Sequence, residues 1–202
     1  MKNVVQENID LVFLMDRSGS MSGSEEDTIG GFNSFIERQK QKDVNTTVTT
    51  ILFDDNYEVL YKRMPITKVN KLTREEYWVR GCTALLDAIG KTITSLDREV
   101  DNKVLFVIMT DGLENASCEY SKEQIQSLIS NHNWEFIYIG ADIDSYTEAG
   151  CIGIRKTHTA NYEKSARGVE KLYCSIGNAV ECMRADVRLE ESDWKNELDE
   201  FD

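Results

Sequence analysis

The chain has 202 residues, enough for one sizeable α/β domain and too few for two comfortable ones. With 41% hydrophobic and 29% charged residues its composition is ordinarily globular, which excludes disorder throughout. A formal net charge of −13 without a basic stripe argues against a nucleic-acid partner, which is normally gripped by clustered lysine and arginine.

Ile9 to Met15 is an apolar run interrupted only by Asp10. Such a run, followed by small turn-forming residues, reads as a parallel strand buried on both faces and ending in a tight loop. The loop, Asp16-Arg17-Ser18-Gly19-Ser20, has the pattern D-x-S-x-S. It brings one carboxylate and two hydroxyls to the C-terminal end of the strand. Those are hard oxygen donors, suited to Mg²⁺, Mn²⁺ or Ca²⁺ and poorly suited to zinc or copper.

Ser24-Glu25-Glu26-Asp27 then opens a helix, with Ser24 as cap and acids in the first turn. Its apolar stripe is Ile29, Phe32, Phe35 and Ile36. Thr46 to Phe53 and Tyr57 to Met64 read as two strands joined by the turn Asp54-Asp55-Asn56, a hairpin closed by the single proline, Pro65. Residues 66 to 80 read as irregular or short-helical. Gly81-Cys82-Thr83-Ala84 leads into a helix with Leu85, Leu86, Ile89, Ile93 and Leu96 facing inward. Val104 to Met109 is a second buried strand, ending in Thr110-Asp111-Gly112. Ser121-x-x-Gln124 has the form of a capping box before a further helix, and Phe136 to Ile139 is the next strand. A last strand is expected around Ile152 to Lys156, and a long helix over Val169 to Met183. The domain is expected to span residues 1–185, with 186–202 an acidic tail that frays or is disordered.

Strands alternating with helices imply a doubly wound, mostly parallel sheet with helices on both faces and the hairpin as an antiparallel edge. No N-terminal segment has the form of a signal peptide, and no run approaches the ~20 apolar residues of a membrane span. The five cysteines, Cys82, Cys118, Cys151, Cys174 and Cys182, are odd in number and scattered. Reduced thiols in a cytoplasmic protein are therefore expected.

In open α/β sheets ligands bind beyond the carboxyl ends of the strands, where the strand order reverses. Asp16 and Asp111 each end an apolar strand, and Thr83 precedes a helix. If the two strands are neighbours, three loops supply Asp16, Ser18, Ser20, Thr83 and Asp111 to one crevice. Asp16-x-Ser18-x-Ser20, Gly81-x-Thr83-x-Leu85 and Thr110-Asp111-Gly112, in that order, resemble the von Willebrand factor A-type domain and its metal-ion-dependent adhesion site. The resemblance covers roughly residues 8 to 182 and is nearest to stand-alone bacterial domains of that type. It implies a Rossmann-like sheet of order 3-2-1-4-5-6 with strand three antiparallel. It also implies a divalent cation, Mg²⁺ before Mn²⁺ or Ca²⁺, held directly by Ser18, Ser20 and Thr83. Asp16 and Asp111 would bind it directly or through waters, and one coordination position would be left for a carboxylate of a partner protein.

Around this constellation, Arg17, Met21, Leu113, Glu114 and Asn115 read either as a rim that contacts a partner or as a solvated edge. Asp87 reads as an ordinary helix carboxylate sooner than a support for the metal ligands. Asp142 and Asp144, which follow a strand on the expected metal face, read as helix caps sooner than parts of the site, and Asp54 and Asp55 as turn residues. His132 and His158 lack metal spacing and read as structural or surface residues. Cys174 and Cys182 read as partly buried small hydrophobes. The leading functional expectation is a non-enzymatic, metal-dependent protein-binding module with no nucleic-acid or membrane partner. One alternative is a phosphoryl-transfer hydrolase of the haloacid-dehalogenase type. There D-x-D-x-T supplies nucleophile and acid, whereas here Ser18 stands in the acid's place and no lysine-bearing loop is evident. Another is a scaffold subunit with a purely structural metal. The acidic tail is also considered as a ligand for the metal site of another copy.

Overall fold

A computed structural model describes residues 8–42 and 45–199. Six strands form one sheet of order β3-β2-β1-β4-β5-β6, with β1 Ile9–Asp16, β2 Thr46–Phe53, β3 Tyr57–Pro65, β4 Lys103–Thr110, β5 Glu135–Gly140 and β6 Thr159–Asn161. All neighbouring pairs are parallel except β2 with β3. The expected Rossmann-like sheet, order and antiparallel edge are therefore present.

The side-chain alternation of β1 explains the two helical layers. Leu11, Phe13 and Met15 join a core with α1 (Glu25–Lys42) and α5 (Ala166–Arg184), while Val12 and Leu14 face α2 (Leu85–Leu96) and α3 (Lys122–Asn131). Every residue of β1 is buried, as expected of a central parallel strand. Phe13 anchors the first layer, meeting Phe32 and Phe35 edge-on with ring centroids 5.5 and 5.4 Å apart. Asp10 is tolerated in this strand because Arg63 Nε donates to it at 3.0 Å and Asn102 Nδ2 at 2.7 Å.

The capping box at Ser121 and Gln124 forms in full, and Asp144 caps α4 (Ser145–Cys151) by accepting from the Thr147 N–H. The last strand lies later than expected, at Thr159–Asn161 rather than Ile152 to Lys156. Ile152 and Ile154 are buried, which makes the stretch resemble a strand. Their backbone instead closes α4, with the Ile154 N–H bonded to the Ala149 carbonyl at 2.9 Å.

The acidic segment after Asp186 also departs from expectation over its described part. Leu189, Trp194 and Leu198 are 1%, 1% and 2% exposed and lie in the α1–α5 core layer. The Trp194 indole N–H donates to the Thr157 carbonyl at 3.0 Å, and α6 (Asn196–Asp199) packs on α5. Three apolar residues among the acids dock the segment, together with Lys195, whose ammonium donates to the Lys156 and Thr159 carbonyls. Residues 200–202 of the expected tail, and 1–7 and 43–44 of the expected domain, lie outside the described residues.

Candidate metal centre

The register places the ends of β1 and β4 side by side, with Met15 opposite Met109. β1 leads to β2 on one side and pairs with β4 on the other, so this is the point where the strand order reverses. Thr110 Oγ1 donates to Asp16 Oδ2 at 2.6 Å across the two strands. The other Asp16 oxygen, Oδ1, accepts the Ser18 N–H at 2.6 Å, which folds the D-x-S-x-S loop back over the strand end. Tyr77 donates its hydroxyl proton to the Asp16 carbonyl at 2.6 Å from the irregular 66–80 segment. Burial pushes the Asp16 carboxyl up to about 6, and the nearby Asp111 charge adds to this; the Thr110 and Ser18 hydrogen bonds oppose it without prevailing.

The five expected residues converge. Ser18 Oγ and Ser20 Oγ lie 3.0 Å apart, and Ser20 Oγ donates to Asp111 Oδ1 at 2.5 Å. Thr83 arrives from the side because the Gly19 N–H bonds the Gly81 carbonyl at 3.1 Å and the Ala84 N–H bonds the Asp54 carbonyl at 2.9 Å. Gly81 has φ +66°, and a Cβ there would lie 1.9 Å from Asp55 Oδ1, so this approach requires glycine. Gly112 shows how tightly the hydroxyls gather. A Cβ at Gly112 would stand 2.6 Å from Thr83 Oγ1, 3.0 Å from Ser20 Oγ and 3.5 Å from Ser18 Oγ. Asp16, Ser18, Thr83 and Asp111 are buried, and Ser20 is exposed, so the cluster opens to solvent on the Ser20 side.

Three hydroxyl oxygens and two carboxylates at one point fit a hard divalent cation in its donor chemistry. Among the described residues no group of three or more His, Cys, Asp or Glu that could hold a metal ion is present, so a cation at this point would rely on the hydroxyls as well as the carboxylates.

The surroundings differ from the sequence reading in several ways. Arg17 is not a rim residue. Its side chain is 0% exposed, with Nε 2.9 Å from Asp54 Oδ2 and Nη1 2.7 Å from Glu58 Oε2. Asp54 is correspondingly more than a turn residue, since Arg80 Nε also reaches its Oδ2 at 2.8 Å and the Asn56 N–H its Oδ1 at 2.6 Å. Burial alone raises the Asp54 carboxyl, but the bonds from Arg80, Asn56 and Arg17 outweigh it and hold the group at about 2. Met21 is buried as well. Glu114 turns inward, accepting the N–H groups of Leu86, Ala116 and Ser117. Asn115 accepts the Thr83 N–H at 2.9 Å through Oδ1 and donates its own N–H to the Thr83 carbonyl at 3.1 Å. Only Leu113 of this group stands out into solvent as an apolar side chain, 54% exposed.

Asp87 holds the 116–120 loop by accepting the N–H groups of Cys118, Glu119 and Tyr120, each at 2.9 Å. Burial acts to raise its carboxyl, and these bonds more than reverse that, leaving it lowered. His132 and His158 are structural, facing Asp97 and Glu135 at 2.8 Å. Cys174 and Cys182 are partly buried, and all five thiols are free.

One residue that the sequence reading did not attach to the site, Lys164, reaches it and brings Asp142 alongside. Asp142, at φ +55°, is not a cap, and Lys164 links it to the metal face. Lys164 Nζ lies 2.6 Å from Asp111 Oδ2 and 3.1 Å from Asp142 Oδ2, and donates to the Ser20 carbonyl at 3.3 Å. Partial burial lowers the lysine, and the two carboxylates more than compensate and raise it.

No protein-family model and no curated protein matches the chain by sequence. Solved structures do match in fold. The von Willebrand domain of the type V pili tip protein Mfa5 from Porphyromonas gingivalis aligns with TM-score 0.65 at 10% identity, covering 87% of this chain and 97% of that one. Proximal thread matrix protein 1 from the mussel byssus aligns with TM-score 0.64 at 16% identity over 83% of this chain, which spans only 44% of the mussel protein. A second structure of that mussel protein has its metal-ion-dependent adhesion site occupied by zinc. The ArnB paralog VWA2 from Sulfolobus acidocaldarius aligns with TM-score 0.62 at 19% identity, covering 85% of this chain and 45% of its own. Together with the sheet order, these likenesses give the chain the von Willebrand factor type A fold.

Proposed function

We propose that the chain is a divalent-cation-dependent protein-binding module and not an enzyme. The observation that carries this reading is the cradle at Gly112, where Ser18, Ser20 and Thr83 hydroxyls gather beside the Asp111 carboxylate. Ser18, Ser20 and Thr83 would hold the cation directly, and Asp16 and Asp111 directly or through water. Two carboxylates among neutral hydroxyls leave a bound cation electrophilic, and it would supply an attachment point for an acidic side chain of a partner protein. Mg²⁺ is the expected ion because it keeps waters in its shell, with Mn²⁺ or Ca²⁺ able to replace it. The zinc found in the mussel neighbour makes Zn²⁺ a necessary comparison.

Protein partners are favoured by the fold neighbours, which include a pilus tip protein and a thread matrix protein. The charge of −13 disfavours nucleic acid, and no helix among the described residues is long and apolar enough to cross a membrane. A cytoplasmic location is proposed on the five free thiols.

The phosphoryl-transfer alternative gains a lysine, Lys164, but no acid. Both Asp16 oxygens accept hydrogen bonds and the residue is 1% exposed, which suits a fixed ligand better than a nucleophile. Ser18 still stands where the acid would be.

The test is capture of partners by tagged full chain from native lysate in Mg²⁺, in chelator, and with Asp16→Ala. A partner retained only with Mg²⁺ and intact Asp16 supports the reading. One indifferent to both moves the interface off the metal face and favours a scaffold with a structural metal.

A further inference from the structure

Lys164 sits against the candidate metal centre in a way that the binding reading alone does not require. Its ammonium pairs with Asp111 Oδ2 at 2.6 Å, while Ser20 Oγ donates to Asp111 Oδ1; apart from the ammonium, buried Oδ2 has no partner among the described residues. The Asp111 side chain is 0% exposed, and water contributes little to its neutralisation. The same ammonium is 3.1 Å from Asp142, whose carboxylate is 68% exposed. Lys164 thus lies between a buried acid belonging to the site and an exposed acid outside it.

We propose that Lys164 is a built-in counter-cation of the metal centre, holding Asp111 when no divalent ion is bound and competing with that ion for it. This rests on the proposed divalent-cation reading. An ion that takes Asp111 from the hydroxyl side, at Oδ1, shares the carboxylate charge with the ammonium at Oδ2 and repels it. Asp142, already within hydrogen-bond distance, keeps it close by. The lysine therefore lowers divalent affinity, in return for stabilising the metal-free fold. It acts through Asp111 as a positioning residue and sets the cation concentration at which the face becomes competent to bind a partner.

The test uses the full chain after chelator treatment, with Mg²⁺ and Mn²⁺ binding followed by calorimetry and melting measured in chelator. Lys164→Met keeps the apolar stem and removes the charge, and Lys164→Arg keeps the charge. Removing one positive charge beside a doubly charged ion should tighten binding about tenfold. Lys164→Met should also melt below wild type in chelator, and the gap should close at saturating Mn²⁺; Lys164→Arg should stay near wild type. A merely structural lysine would weaken binding when removed, never strengthen it. Wild-type binding with equal or weaker affinity in Lys164→Met overturns the counter-cation role and leaves the metal reading standing. No binding by wild type or either variant overturns both.

Discussion

Asn115 and Thr83 hold each other by two backbone-directed bonds: the Thr83 N–H donates to Asn115 Oδ1 at 2.9 Å, and the Asn115 N–H to the Thr83 carbonyl at 3.1 Å. The loop after β4 thereby sets the position of a hydroxyl that enters from the loop before α2. Asn115 is itself exposed, so its side chain contributes little to the core. Asn115→Ala should weaken divalent-cation binding about tenfold while costing only about 1 kcal/mol of stability, the worth of an ordinary hydrogen bond. Cation titrations beside urea denaturation separate the two effects. Equal affinity in the variant would mean that Thr83 needs no such support.

Gly112 offers a sharper probe of the hydroxyl cradle. Its Cβ in Gly112→Ala would lie 2.6 Å from Thr83 Oγ1, closer than such atoms approach without something shifting. The variant should keep a wild-type far-ultraviolet spectrum and lose the cation-dependent rise in melting temperature. In wild type that rise should correspond to about 2.7 kcal/mol at a metal concentration ~100-fold above the dissociation constant. A normal rise in Gly112→Ala would place the cation elsewhere.

Asp54 makes metal-free stability depend on pH in a defined window. Its carboxyl is held at about 2, below its ordinary 3.8, so the unfolded chain takes up the proton first. The contribution, of order 2 kcal/mol, is complete above about pH 4 and is lost as pH falls through 2. Asp54→Asn should be less stable than wild type at pH 7, and the difference should shrink steadily between pH 4 and 2. Urea denaturation across that range tests it, and a pH-independent difference would show that the carboxylate charge is not what matters. Arg17 shares this cluster, and Arg17→Ala should cost about 3–5 kcal/mol because it removes one partner of a buried ion pair.

Trp194 tests whether the acidic C-terminal segment belongs to the domain. It is 1% exposed and its indole N–H is bonded to the Thr157 carbonyl. Trp194→Ala should therefore cost about 3–5 kcal/mol, the usual price of emptying a large buried aromatic site. A loss under about 1 kcal/mol, within the range of a surface substitution, would show the segment to be loosely attached.

The parts readable from sequence are those where chemistry adjoins a long apolar run. β1 and β4 are largely hydrophobic strands, Asp16 ends β1, and Ser18, Ser20 and Asp111 follow within a few residues, so strand and site announce each other. Thr83 was reachable through its glycine and the helix that it precedes. β6 was missed because Thr159-Ala160-Asn161 is too short to show a pattern, and because buried Ile152 and Ile154 imitate a strand. Lys164, Asn115 and the Arg17–Asp54 pair owe their roles to contacts between distant segments, 53 residues apart for Lys164 and Asp111. No local pattern marks them. An arginine between an aspartate and a serine in a loop looks solvated, and burial here depends on the β2–β3 turn and the 66–80 segment closing over it.

The most direct test of the account is to count bound Mn²⁺ by electron paramagnetic resonance in wild type and in the Ser18→Ala, Ser20→Ala double variant. Wild type should hold a single Mn²⁺ per chain, displaced by Mg²⁺, and the double variant should lose it while remaining folded. Failure of wild type to bind Mn²⁺ at millimolar concentration, or undiminished binding in the double variant, would contradict it.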